Sequence, residues 1–157
     1  MAKKEQKNDI FKNNMLEEML KIANSDDMGY ALKNPGDINS LPTKTKGTLF
    51  LKFYLNEIFQ KLYNIDSDAI EQGIVDNAND KGIDFITIDD DKVYIIQAKY
   101  NSKPLKEIQD FINLPESIKT DLYKNTCNAE LKAYFAEIKN KKNLEYNLFF
   151  VTNEKVT

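Results

Sequence analysis

Two strand patterns joined by an acidic turn constrain the fold of this chain more than any other feature. The segments IDFITI (residues 83–88) and VYIIQAKY (residues 93–100) are rich in β-branched and aromatic residues, which favour strands. The DDDK segment between them has a length that is common in hairpin connections. The sequence therefore predicts an antiparallel hairpin in which Ile88 pairs with Val93.

Helical patterns flank this hairpin on both sides. Apolar residues recur at helical spacing over residues 9–24, 48–63, 105–114 and 115–138, with a break at Pro115. The apolar stripe of the second helix consists of Leu49, Phe50, Phe53, Tyr54, Ile58 and Leu62. A short strand is expected within residues 69–75 and a last strand within residues 146–153. We therefore expect a mixed α/β (α+β) fold in the order helix, three-stranded hairpin or meander, helices, strand. Residues 1–47 are expected to form an N-terminal helical extension, and residues 48–157 the main domain.

The composition limits the chemistry that the chain can perform. It contains no histidine, and lysine accounts for all 22 of its Lys and Arg residues. The lack of histidine excludes Ser–His–Asp and Cys–His triads, His-based general base catalysis and His-ligated zinc. Any chemistry must therefore use carboxylates, lysine, amides, hydroxyls or a hard metal ion.

Charge and cysteine content bear on partners and compartment. The net charge of −3 argues against a free-standing, tight DNA binder, because neutralising phosphates dominates non-specific affinity. A nucleic-acid substrate would need further binding surface from a partner subunit, a homodimer included, or from a region after Thr157. The end of the chain directly after a strand predicts an N-terminal fragment of a longer protein. A single cysteine, Cys127, and a charged start without a signal-like apolar core predict a cytoplasmic protein that spans no membrane.

Three polar residues are expected to meet at one end of the hairpin. With Ile88 paired to Val93, Asp84 lies opposite Gln97, and Gln97 and Lys99 share a face because side chains alternate along a strand. The same face continues into apolar positions, so these polar groups would incur a desolvation cost of several kcal/mol without partners. A divalent cation between Asp84 and the Gln97 amide oxygen would offset that cost, with Lys99 directed at a water or phosphate oxygen.

A fourth candidate lies on the preceding helix. Glu57 is flanked by apolar residues of the stripe, among them Phe53, Tyr54 and Ile58. Its side chain is therefore expected to point toward the sheet, where its carboxylate would reach the same ion directly or through water.

These residues resemble a known family of nucleases. A helix with an inward Glu, a GxD segment that opens a strand and a strand that ends in QxK is similar to the PD-(D/E)XK nucleases. The glutamine variant resembles Mrr-type restriction endonucleases. The stretch IVDNANDKGIDFITIDDDKVYIIQAKY is particularly similar to the N-terminal nuclease-like region of the AIPR (abortive infection phage resistance) proteins. The similarity covers residues 49–100 and the late strand, about half of the chain.

The resemblance implies a restriction-endonuclease-like core and a set of site residues. Asp84 would bind a metal ion, Gln97 would be the second ligand in place of Glu, and the backbone carbonyl of Ala98 would complete the protein ligands. Lys99 would orient the attacking water, and Glu57 would be the helix carboxylate. Ile83 stands where the motif name has proline. The implied activity is Mg²⁺-dependent endonucleolytic cleavage of nucleic acid, with DNA as the expected substrate and Mn²⁺ as a substitute metal. The implied role is phage defence by restriction or abortive infection.

Each candidate also has a structural interpretation. Asp84 would cap the preceding turn, Gln97 would be a buried amide bonded to backbone, Lys99 would extend to solvent, and Glu57 would be a surface residue. The acidic residues interpreted as structural or solvated are Asp76, Asp80, Asp89, Asp90 and Asp91. The alternative functions are a catalytically inactive nuclease-fold module that binds nucleic acid or mediates assembly, and a purely structural partner-binding domain.

Overall fold

The chain forms two compact units, residues 1–62 and 63–157. The computed structural model describes residues 2–75, 82–102, 105–120 and 129–154, and the early turn residues Asp76 and Asp80 lie outside this part. Its elements are helical at the N-terminal end and mixed α and β afterwards, which confirms the expected α+β class. Of the helices that the structure describes, none is both long and apolar enough to cross a bilayer.

The N-terminal unit is helical. Helix α1 (Ala2–Ala23) packs against a 3-10 helix (Pro35–Ser40) and against α2 (Thr43–Tyr54), which begins directly after Pro42. The core residues of this unit include Met15, Met19, Ile38, Leu49 and Phe53, all nearly inaccessible to solvent. The expected first helix is therefore present, and the second begins earlier than the sequence predicted.

A π-helical turn, Leu55–Phe59, follows α2 and leads into α3 (Gln60–Tyr63). The N–H of Gln60 donates to the carbonyl of Leu55, five residues back. Such a turn inserts one extra residue, which rotates every later side chain by about 100° around the helix axis. The prediction that Leu62 belongs to the apolar stripe is accordingly wrong, since Leu62 is 68% exposed.

The C-terminal unit contains a three-stranded mixed sheet in the order β1-β2-β3. β1 (Phe85–Asp89) and β2 (Lys92–Lys99) are antiparallel, and β3 (Glu145–Thr152) lies parallel to β2. The pairing of Ile88 with Val93 is confirmed. The connection is shorter than the expected four residues, because Asp89 also pairs with Lys92 and only two residues turn the chain.

The short strand expected before the hairpin is largely wrong. Residues Ser67–Gln72 form a helix, α4, and the strand is reduced to an isolated antiparallel bridge between Ile74 and Phe85. Two backbone bonds flank this bridge, from Ile86 N–H to the Gly73 carbonyl and from Val75 N–H to the Asp84 carbonyl. The expected three-stranded meander is thus a two-stranded hairpin with one bridge at its edge.

Helices cross over between β2 and β3. They are α5 (Leu105–Ile112), α6 (Leu114–Lys119) and α7 (Ala129–Asn140). The single helix expected after a break at Pro115 is not observed, because α6 includes Pro115 and ends at Lys119. These helices cover one face of the sheet, and their buried apolar residues form a continuous core with Ile86, Val93 and Ile95. A parallel β2–β3 pair requires such a crossover, since a tight turn joins only antiparallel strands.

Candidate functional site

Asp84 lies directly before β1, at the end of the hairpin remote from its turn. The ladder of the described residues begins at the pair Phe85–Ile96, and the N–H of Asp84 donates to the carbonyl of the same Ile96 at 2.9 Å. Asp84 and Phe85 therefore both face Ile96 of β2, as two successive residues do in a β-bulge. The expected direct pairing of Asp84 with Gln97 is replaced by this shift of one residue.

The carboxylate of Asp84 nevertheless reaches the expected part of β2. Its Oδ2 accepts a hydrogen bond of 2.8 Å from the N–H of Ala98, the residue between Gln97 and Lys99. The side chain of Asp84 is half-buried, and Ala98 is 9% exposed. This bond fixes the carboxylate beside the QxK segment, in a position where water competes little for it.

Gln97 is one of two buried polar side chains in the described part of the chain, the other being Thr87. Its amide packs against Gly82, where a Cβ atom would lie 3.3 Å from Gln97 Nε2. Gly82 has a φ of +77°, a conformation that glycine adopts without the steric cost other residues incur. The glycine of the GxD segment therefore makes room for the Gln97 side chain.

Lys99 is the last residue of β2, is half-buried and pairs with Thr152 of β3. A pair of asparagines lies just beyond it. Asn101 N–H donates to Asn153 Oδ1, and Asn153 Nδ2 donates to Asn101 Oδ1, both at 2.7 Å. Thr152 Oγ1 adds a bond of 3.0 Å to the carbonyl of Ser102. These contacts join the segments that follow β2 and β3 and so restrain the strand end that bears Lys99.

Sequence reasoning did not identify this asparagine pair. The available signal was an asparagine soon after each of two strand patterns, in YNS and VTN. Asn101 has a φ of +53°, which asparagine tolerates better than most residues. Without the parallel register of β2 and β3, however, nothing in the sequence brings the two residues together.

Glu57 belongs to the N-terminal unit and lies within the π-turn. It is partly buried and forms an ion pair with Lys61, with 3.1 Å between Glu57 Oε2 and Lys61 Nζ. π-turns are rare and often occur at functional sites. The expectation that this carboxylate points toward the sheet and reaches the metal ion stays a prediction.

The residues at the hairpin end offer only oxygen atoms as metal ligands. The carboxylate of Asp84, the side-chain oxygen of Gln97 and the carbonyl of Ala98 are hard donors of the kind that Mg²⁺ binds together with water and substrate phosphate. A carboxylate has about four lone-pair positions, so the bond to Ala98 leaves it further capacity. The donor chemistry thus fits Mg²⁺. Within the described residues, no group of three His, Cys, Asp or Glu side chains could hold a metal ion. The proposed ligands Asp84, Gln97 and Ala98 are not such a group, because only Asp84 is one of these residue types.

Comparison with known proteins adds no relative. No protein-family model, curated protein or solved structure matches this chain.

Proposed function

We propose that this chain is the catalytic domain of a metal-dependent endonuclease that cleaves nucleic-acid phosphodiester bonds. The observation that supports this most directly is the hydrogen bond between the Asp84 carboxylate and the N–H of Ala98, which sets the aspartate beside Gln97 and Lys99. The sequence resemblance to QxK-type PD-(D/E)XK nucleases assigns these residues to metal binding and water activation. In this proposal the mixed sheet and its crossover helices correspond to a restriction-endonuclease-like core.

The roles follow from the chemistry of each group. A bound Mg²⁺ would polarise the scissile phosphate and lower the pKa of a bound water, which makes histidine unnecessary. Asp84, Gln97 and the Ala98 carbonyl would hold this ion. The ammonium of Lys99 would hold the attacking water and stabilise the charge that develops on the phosphate.

The biological setting of the proposal rests on the family resemblance alone. It comprises DNA as the substrate, phage defence by restriction or abortive infection as the role, and the cytoplasm as the location. Because the chain has a net charge of −3, part of the DNA-binding surface would come from a partner subunit or from further sequence.

Substitution of Asp84 separates its catalytic role from its structural one. Asp84→Asn keeps an oxygen that accepts the Ala98 N–H, so the free energy of unfolding should change by less than about 1 kcal/mol. Asp84→Ala leaves this nearly buried N–H without its acceptor and should cost about 1–3 kcal/mol. Both variants, and Lys99→Ala, should lose at least about a hundredfold in cleavage rate, since each loses a group required in the transition state.

The assay is cleavage of supercoiled plasmid, linear duplex and single-stranded RNA with Mg²⁺, Mn²⁺ or EDTA. The sample is the whole chain, with Lys92→Ala as a control for loss of one exposed lysine on the same strand. If the wild type cleaves and Asp84→Asn cleaves equally well, the site assignment is wrong.

A specific feature favours a second candidate, an inactive nuclease-fold module that binds nucleic acid. Gln97 stands where related enzymes have a carboxylate, so the hairpin end has one negative charge fewer to attract a metal ion. In that case the wild type would bind nucleic acid in a gel-shift assay and leave all three substrates intact with either metal.

A further inference from the structure

A groove in the C-terminal unit lies at the other end of the sheet from the candidate site. It encloses about 420 Å³ and is lined by residues of α6, α7, the following loop and the start of β3. Its wall residue Tyr146 pairs with Val93 near the start of β2, whereas Lys99 ends that strand. Six residues of extended strand separate Val93 from Lys99, which corresponds to about 20 Å. The groove is therefore a separate surface.

The groove is rich in lysine although the chain as a whole is acidic. Lys119, Lys139 and Lys141 line it, and none of its described lining residues is acidic. Lys141 Nζ donates to the carbonyl of Asp90 at 3.2 Å and lies 3.6 Å from a carboxylate oxygen of Glu137, which restrains it and offsets part of its charge. The groove thus offers ammonium groups from α6, from α7 and from the segment that follows α7.

The remaining wall of the groove is apolar and aromatic. Ile118 and Ile138 are almost fully buried and form its floor, and the half-buried ring of Tyr146 forms one side. The ammonium of Lys119 lies 5.8 Å from the centroid of this ring, over its face. A cationic group and a flat aromatic surface are therefore adjacent, which is the combination that single-stranded nucleic-acid sites use.

We propose that this groove binds a nucleotide unit, with its phosphate beside the lysines and its base against the ring of Tyr146. The Lys119 ammonium, which lies over this ring in the unbound groove, would move to the phosphate. The volume lies within the roughly 300–1,000 Å³ typical of small-molecule sites. A free nucleotide and a single-stranded segment of nucleic acid share this chemistry. A duplex does not, because its base faces are stacked on one another. The site goes beyond the proposed nuclease activity and needs neither Asp84 nor a metal ion.

Binding is measured on the whole chain in EDTA, which separates it from any metal-dependent cleavage. The probes are a fluorescein-labelled single-stranded oligothymidylate, a labelled mononucleotide, a duplex of equal length and unlabelled inorganic phosphate as competitor. The groove variants are Lys119→Gln/Lys139→Gln and Tyr146→Leu. Lys132→Gln is the matched control, because it removes an exposed lysine from the same helix, two turns before Lys139 and outside the groove.

The lysine pair variant should weaken oligothymidylate binding at least tenfold. It should also reduce the slope of log K against log salt by about 1.4, that is, about 0.7 for each lost phosphate contact. Tyr146→Leu should weaken binding roughly tenfold, whereas Tyr146→Phe, which keeps the ring, and Lys132→Gln should stay within about twofold of the wild type. Comparable affinity for the labelled mononucleotide identifies free nucleotides as the source, and binding of the oligomer alone identifies a strand.

Three results overturn the proposal. The first is that neither labelled probe binds to the wild type. The second is that Lys132→Gln weakens binding as much as the groove variants, which means diffuse attraction to the protein surface. The third is that Tyr146→Leu has no effect while inorganic phosphate competes as well as the mononucleotide, which means a simple anion site.

Discussion

Gly82→Ala tests whether the packing around Gln97 supports the candidate site. Gly82 has a φ of +77°, so any residue with a Cβ is strained there by about 1–2 kcal/mol. The added Cβ would also lie 3.3 Å from Gln97 Nε2, and Gln97 is only 5% exposed. The Gln97 side chain must therefore shift by a few tenths of an ångström to accommodate the methyl group.

Gly29→Ala provides the control, because the two glycines differ in one respect. Gly29 has nearly the same φ, +72°, but no atom lies within 4 Å of the Cβ position. Gly29→Ala should thus cost only the backbone strain, about 1–2 kcal/mol. Straining the Gln97 side chain adds about 0.5–1.5 kcal/mol, so Gly82→Ala should cost about 1.5–3.5 kcal/mol.

Urea denaturation gives both free energies of unfolding, and plasmid cleavage gives the functional effect. We expect Gly82→Ala to lower the cleavage rate at least about tenfold at a temperature where the variant is folded, because Gln97 is displaced. Gly29→Ala should cleave at the wild-type rate. Equal loss of stability in the two variants, with cleavage unchanged in both, would refute the argument that Gly82 positions Gln97.

Three further perturbations have expected outcomes. Gly73→Ala should cost about 3 kcal/mol or more in urea denaturation, because its Cβ would lie 2.5 Å from the buried ring of Phe85; full stability would contradict the close approach. Gln97→Glu places a carboxylate at a buried position near Asp84, so the melting temperature should fall in EDTA and recover with Mn²⁺. Equal melting temperatures of the variant in EDTA and in Mn²⁺ would count against a metal site. Burial raises the pKa of Tyr146 above its ordinary 10.0, so this tyrosine ionises first in the unfolded state and the free energy of unfolding should fall as the pH rises above about 10. In urea denaturation, Tyr146→Phe should reduce this fall between about pH 9 and pH 11. An unchanged pH profile in the variant would contradict this expectation.

The hairpin register was predictable because of the alternation of its residues. A shift of one residue would turn Ile86, Val93 and Ile95 out of the core and toward the opposite face, which gives the observed pairing a large energetic advantage. The same alternation places Gln97 and Lys99 on one face. The bulge at Asp84 was not predictable, because it depends on the backbone hydrogen bond from Asp84 N–H to the Ile96 carbonyl and not on the apolar pattern.

The features that the sequence did not predict depend on contacts between distant residues or on single turns. The π-turn changes the direction in which side chains point after Leu55. The prediction from the apolar pattern was based on a regular α-helix through Leu62. The short strand near Ile74 became a bridge because α4 already includes Gln72, which leaves three residues of the expected strand, 73–75, to pair with β1. The contact of Asn101 with Asn153 spans the whole crossover between β2 and β3.

The hydrogen bond that Asp84 accepts from the N–H of Ala98 affects how a metal ion would bind in the proposed site. Because the backbone itself holds the carboxylate, the proposed metal site would need no ion to place Asp84 beside Gln97. A glutamine at the second position also avoids the repulsion that two adjacent carboxylates would exert in the absence of metal. The same substitution weakens attraction for a free cation, so the substrate phosphate would supply part of the charge that completes the site. Metal binding that becomes much tighter when nucleic acid is present is therefore the behaviour that this geometry favours over a permanently bound ion.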